Sequence, residues 1–90
     1  MSPVALKVLS LAYDSYQKAK DFYVSIHPKN PNEWYDTVIG AQQLAQSGYI
    51  DEVSDFVFAS PISADITIPI TFNITEIGIE YIRSKGEANQ

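Results

Sequence analysis

His27 is the only imidazole in this 90-residue chain, so any acid–base or metal chemistry involving histidine has to be built around it. Asp14 and Asp21 precede it on the polar face of a helix, no serine sits in a nucleophile turn, and Pro28 follows directly. Without carboxylates at metal-ligand spacing, His27 reads as a connector residue. The glycines stand apart at 40, 48, 78 and 86, so none forms a phosphate-cradling loop. Asp51-Glu52 could hold a cation weakly, but the rest of a calcium loop is missing and the pair reads as a solvated turn. No cysteine is present, which excludes thiolate catalysis, disulfides and cysteine-ligated zinc. Asn73-Ile74-Thr75 has the form of a glycosylation acceptor, yet its place at a helix start makes capping the better account. The expectation is a protein that is not an enzyme, with no catalytic residue, no metal and no cofactor.

The charges are unevenly placed. Lys7, Lys18, Lys20, Lys29, Arg83 and Lys85 all lie before Asn30 or after Ile82, and the 53 residues between hold eight acids and no base. A net charge of −5 opposes nucleic acid and anionic membrane surfaces, and it favours basic partners. No segment approaches the ~20 apolar residues of a membrane span. The N-terminal apolar run is broken by Lys7 and lacks a small-residue cleavage site, so the expected location is the cytoplasm.

Elements that position these residues follow from hydrophobic period. Ser2-Pro3 is a helix start, and Ala5, Val8, Leu9, Ala12, Tyr16, Ala19, Tyr23 and Ile26 share one stripe, which predicts an unbroken helix from Val4 to Ile26 ended by His27-Pro28. The rival reading breaks it near Lys20 and makes Phe22 to Ile26 a short strand. A second helix is expected from an N-cap at Asn32 to Ser47, burying Trp34, Thr37, Val38, Ala41, Leu44 and Ala45, with Gly48 as its left-handed terminator. Val53–Phe58 and Ile66–Phe72 read as strands of a hairpin, the second turning Ile66, Ile68, Ile70 and Phe72 inward and holding Pro69 on an edge or with its missing amide toward solvent. Asn73 or Thr75 then caps a last helix whose Ile77, Tyr81 and Ile82 face inward, with 86–90 frayed. The whole is one α+β domain over 1–90, large enough to bury roughly 60–70% of its unfolded surface.

Aromatics and lysines interleave along the first helix (Tyr13, Tyr16, Lys18, Lys20, Phe22, Tyr23), the composition of a single-strand stacking surface. The helical phase puts Tyr16 and Tyr23 on the buried stripe, so core packing is the preferred account. The apolar arc is wider than one core requires, and Leu6, Tyr13, Phe22 and Val24 are expected to pack against a second copy in a homodimer.

The run Gly48-Tyr49-Ile50, a hairpin, then Phe72-Asn73-Ile74-Thr75-Glu76-Ile77-Gly78-Ile79-Glu80-Tyr81-Ile82 resembles the second half of winged-helix domains and is similar to small bacterial proteins of the YjcQ-like kind. The resemblance spans Trp34 to Ile82. It implies a recognition helix over Asn32 to Ser47, with Asp36, Ile39, Gly40, Gln43, Gln46 and Ser47 outward, and a wing from Phe58 to Ile66. Gln43 and Gln46 could read base edges, but Glu33, Asp36 and Asp65 would meet phosphates. The N-terminal third departs from the pattern, because little room remains between Ile26 and Asn32 for the short helix that normally precedes recognition.

The function expected is therefore a non-catalytic regulatory or accessory domain of winged-helix type acting by protein–protein contact. Tyr35, Asp36, Ile39, Gln43 and Gln46 form its partner-binding surface, and the partner is a protein, basic in character. The alternative is a DNA-binding transcription regulator using Lys18, Lys20, Lys29, Arg83 and Lys85 at the chain's two ends. A small molecule between aromatic helices is a third reading.

Overall fold

Ser2 caps the first helix as its type dictates: its Oγ accepts from the Ala5 amide at 3.2 Å, and Pro3 occupies the first turn, where no donor is lost. The computed structural model describes residues 2–54 and 66–88, the last three by backbone alone. In chain order these form α1 (Pro3–Ala19), β1 (Tyr23–Ile26), α2 (Pro31–Gln46), β2 (Ile50–Asp51), β3 (Ile70–Ile74) and α3 (Glu76–Ala88). The fold is α+β, with three helices and a three-stranded antiparallel sheet in the order β1-β3-β2.

The unbroken helix to Ile26 is corrected. Lys20 takes a left-handed conformation (φ 55°) and donates its amide to the Tyr16 carbonyl at 2.7 Å, which closes α1. Tyr23–Ile26 then pairs with β3, Val24 opposite Phe72 and Ile26 opposite Ile70. Helical phase and strand alternation compete over this segment. Pairing wins because it buries Val24 and leaves Tyr23, 54% exposed, on the outer face. Val24 is thus core, and its expected place in a dimer interface is withdrawn.

The cap of α2 is Asn30, not Asn32: its Oδ1 accepts from the Glu33 amide at 2.8 Å, and Pro31 opens the helix. The expected buried positions Trp34, Thr37, Val38, Ala41 and Leu44 all reach the core, with Ala45 partly buried against it. Gly40, expected outward, is instead buried where α2 crosses α1. A Cβ there would lie 2.7 Å from Val8 Cγ2 and 2.9 Å from the Val4 carbonyl oxygen, so the two helices approach because Gly40 has no side chain. Gly48 ends the helix at φ +80°, as expected.

β3 begins at Ile70, later than the strand expected from Ile66, and it is the central strand of the sheet. Pro69 stands just before it, outside the ladder, where its missing amide removes no strand hydrogen bond. Ile70, Phe72 and Ile74 point into the core, whereas Ile66 and Ile68 are exposed, contrary to their expected inward facing. On the other side, Asp51 pairs with Asn73, and Ser54 meets Thr71. Three steps on one strand thus oppose two on the other. The extra residue is absorbed at Glu52, whose φ is 52°, as in a bulge. Ser54 resumes the contact with its side chain as well as its backbone: its amide donates to the Thr71 carbonyl, and its Oγ accepts from the Thr71 amide, both at 2.9 Å. The strand expected at Val53–Phe58 and the wing Phe58–Ile66 lie mostly outside the described residues.

Thr75 is the cap of α3, accepting from the Gly78 amide at 3.1 Å and donating its hydroxyl to the Gly48 carbonyl at 2.8 Å. Ile77, expected inward, is 60% exposed, and Ile79 is buried in its place. Tyr81 and Ile82 pack partly buried against the core, as expected. The phase of α3 is set by Gly78, which lies so close to the Tyr49 carbonyl that a Cβ would overlap it. Among the described residues no helix is long and apolar enough to cross a membrane.

Candidate functional site

Two faces collect the residues singled out in the sequence. On α2, Tyr35, Asp36, Ile39, Gln43 and Gln46 fall within an arc of about 100° at 100° per residue, and all five are exposed. Tyr35 meets the indole of Trp34 edge-on at 5.2 Å, which fixes its ring against the core residue beside it. Gln43 is tethered, its Oε1 accepting from the Ser2 hydroxyl, so one side chain joins the face to the start of α1. Glu33 and Asp36 line a groove of about 190 Å³ with Val4, Lys7, Val8 and Leu11. Farther along, Asp51 and Glu52 are exposed, and Asn73 Nδ2 donates to the Glu52 carboxylate.

The second face lies along α1 and α3. Tyr13 and Tyr16 stack with centroids 6.3 Å apart, and Tyr16 meets Phe22 at 5.3 Å, so three rings run in a row. Tyr16 packs partly buried against the core, as its stripe implies, whereas Phe22 is 43% exposed and Tyr23 has turned outward, which corrects the expectation that Tyr23 is core. Arg83 Nε donates to the Tyr13 hydroxyl at 3.1 Å, and its guanidinium lies 6.0 Å from that ring's centroid. Lys85 lies 5.6 Å from the Tyr81 centroid and lines the same cleft as Lys7.

The structure therefore unites part of the cationic set. Arg83 bonds to Tyr13 of α1, Lys85 lines the cleft between α1 and α3, Lys20 stands at the α1 terminus beside Phe22, and Lys18 is exposed in the last turn of α1. Lys29 lies apart, in the connector at the other end of β1. Of the expected dimer residues, Leu6 and Tyr13 are half-buried in the cleft between α1 and α3, so the chain's own last helix covers much of the arc assigned to a second copy. Phe22 alone of the four is exposed. The Tyr13–Arg83 contact, 70 residues apart, had no sequence signal, because neither position belongs to a period that the other shares.

His27 is exposed, its Nε2 3.4 Å from Ser25 Oγ. Among the described residues no group of three or more His, Cys, Asp and Glu is placed to hold a metal ion. No protein-family model, curated protein or solved structure matches the chain.

Proposed function

We propose that the chain is a winged-helix-type domain with a non-catalytic, regulatory or accessory role, acting by protein–protein contact through the outward face of α2. The winged-helix reading draws on the order of elements: a helix, a strand, a helix, then two strands that flank and pair, with β1 joining the same sheet. A single helix separates β1 from β2, so the helix that ordinarily precedes the recognition helix is missing. One observation carries the functional reading. Tyr35 and Ile39 are 39% and 45% exposed, beside Asp36, Gln43 and Gln46, in a stretch without a single Lys or Arg. Exposed aromatic and aliphatic anchors ringed by polar groups suit a protein partner, and the carboxylates select a basic one. The same residues would repel a phosphate backbone. The cytoplasm is the compartment we assign with this reading, on a sequence without cysteine.

A photo-crosslinking side chain placed at Ile39 in cells that make the protein tests this. A discrete protein adduct that Asp36→Lys abolishes, and that the same probe at Ile77 does not give, supports the reading. Adducts to DNA alone, or none, overturn it. Self-association is a second form of such contact, now resting on Phe22; a dimeric mass by light scattering at tens of micromolar that Phe22→Ala abolishes supports it, and a monomeric mass removes it. The DNA-binding regulator has one observation in its favour, the docking of Arg83 on α1 beside the cleft that Lys85 and Lys7 line.

A further inference from the structure

Two clefts on the outer side of α1 meet at Gln17, which lines both. The first is a notch of about 430 Å³ bounded by Tyr16, Gln17, Lys20 and Phe22. The second, about 480 Å³, lies between α1 and α3 and takes Lys7, Ser10, Tyr13 and Asp14 from one wall and Ile82 and Lys85 from the other. Arg83 reaches the track at Tyr13, whose hydroxyl also accepts from Gln17 Nε2 at 3.1 Å. From Lys7 to Lys20 the track is roughly 20 Å long at 1.5 Å per residue.

We propose that this track binds single-stranded nucleic acid, with a base stacked in the Tyr16–Phe22 notch and the phosphates following Lys20, Arg83, Lys85 and Lys7. Three features point to that ligand. The row of rings ends in an exposed phenyl tilted 47° from Tyr16, and the open face of Phe22 is an apolar surface that an unpaired base can cover and a base inside a duplex cannot. The Gln17 amide stands where the notch opens into the cleft, and its carbonyl oxygen is an acceptor for a base edge. Among the described residues four cations border the track, Lys7 also lining the groove that holds Glu33 and Asp36, and one carboxylate lies within it, Asp14. The nearby Asp21 is turned back on its own chain, its Oδ1 accepting from the Tyr23 amide at 3.2 Å. An acidic peptide would satisfy the cations but leave the aromatic notch without a role. The site lies away from the α2 face, so it stands or falls separately from the contact proposed there; it shares Phe22 with the self-association surface, which the light-scattering mass reads independently.

Because the net charge of −5 opposes approach of a polyanion, binding is weak and confined to low salt. The test is fluorescence anisotropy of a labelled oligothymidylate titrated with the full chain. The expected result is a saturable rise with a midpoint of tens of micromolar at low salt, and log–log salt dependence with a slope of about −2 to −3 for up to four phosphates at about −0.7 each. Duplex of equal length should bind at least about five-fold more weakly, and Phe22→Ala should weaken oligothymidylate by a similar factor, the loss of one stacked base. Arg83→Glu should do at least as much, while Ile77→Ala should change nothing. Thermal melts of each variant separate lost contacts from lost fold, and a Phe22→Trp variant that binds as well as or better than wild type supports stacking even if Phe22→Ala unfolds. No anisotropy change at about 100 µM protein and low salt would overturn the proposal. So would a duplex that binds as tightly, Phe22→Ala and Phe22→Trp variants both folded and both unchanged, or polyglutamate displacing the oligonucleotide as effectively as unlabelled oligothymidylate.

Discussion

The outward face of α2 and the α1–α3 track both present rings and aliphatic groups to solvent, but they differ in charge and in how they are assembled. The α2 face comes from one helix and carries carboxylates and amides around Tyr35 and Ile39. The track draws on α1, its left-handed exit at Lys20, and α3, and it carries the cations. Its key contact joins Tyr13 to Arg83, at opposite ends of the chain. A surface from one element keeps its composition however the rest folds, whereas a surface from three exists only while they are docked. Most of the cations thus gather along the track, with Lys7 at the boundary, where it also lines the groove that holds Glu33 and Asp36.

Both faces rest on one core, and the most disruptive variants test that. Phe72 is fully buried in the central strand, opposite Val24 and beneath the helices. Phe72→Ala should cost about 3–5 kcal/mol, the usual range for an emptied aromatic site, read as a shift in denaturant midpoint at constant slope. If instead α2 loses hydrogen-exchange protection while α1 and α3 keep theirs, the two faces belong to separately stable units and the comparison fails.

Gly78→Ala should separate the faces. The added methyl meets the Tyr49 carbonyl, a backbone atom that cannot rotate away, and overpacking of this kind costs about 1–3 kcal/mol. The strain falls where α3 leaves the sheet, so amides of α3 should exchange faster than those of α2. Uniform loss of protection would show that the track is no more conditional than the α2 face.

How much of this was legible in the sequence follows the same division. Ser2 and Gly48 announce their roles, and Thr75 stands in the sequence as one of two candidate caps beside Asn73, because capping and left-handed turns depend on one or two residues. The buried stripe of α2 was also readable, since its period of 3.6 stays in phase over the whole helix. Tyr23–Ile26 was legible only as the rival to a continuous helix, because Val24 and Ile26 suit a strand while Tyr23 and Ile26 continue the helical stripe; only the partner strand, some 50 residues on, decides. Ile66 and Ile68 alternate as well as Ile70 and Phe72 do, yet the ladder begins after Pro69. Ile79 went unrecognised for a similar reason, as the phase of α3 is set by where Gly78 lets it touch Tyr49. Of the two candidate faces, Tyr35 and Ile39 on α2 could be named from spacing, while Asp36, Gln43 and Gln46 came with the winged-helix resemblance. For the track, the interleaved rings and lysines were visible, but the exposure of Phe22 and the arrival of Arg83 depend on where α1 ends and α3 docks.

Thr75 gives a smaller and more specific effect on the docked side. Its hydroxyl is both the α3 cap and a clasp on the Gly48 carbonyl, and its amide donates to the Tyr49 carbonyl at 3.1 Å. Thr75→Ala should cost about 1 kcal/mol, in the range of lost N-caps, and Thr75→Ser should recover most of it because the hydroxyl is kept. Equal losses for both variants would assign the effect to the methyl group and not to the cap.

The smallest stability effect should come from the α2 face. Ile39→Ser removes a half-exposed side chain from a helix whose opposite side carries the packing and should move stability by no more than about 0.5 kcal/mol, and Tyr35→Ser, which also gives up the edge-on contact with Trp34, by about 0.5–1 kcal/mol. Those residues would then be dispensable for the fold while forming the exposed apolar part of that face. Crosslinking from a neighbouring site such as Gln46 should disappear in the same two variants if the face is a contact surface. A loss of stability comparable to that of Phe72→Ala would instead make Tyr35 and Ile39 the edge of the core, and the difference between the two faces would then reduce to charge.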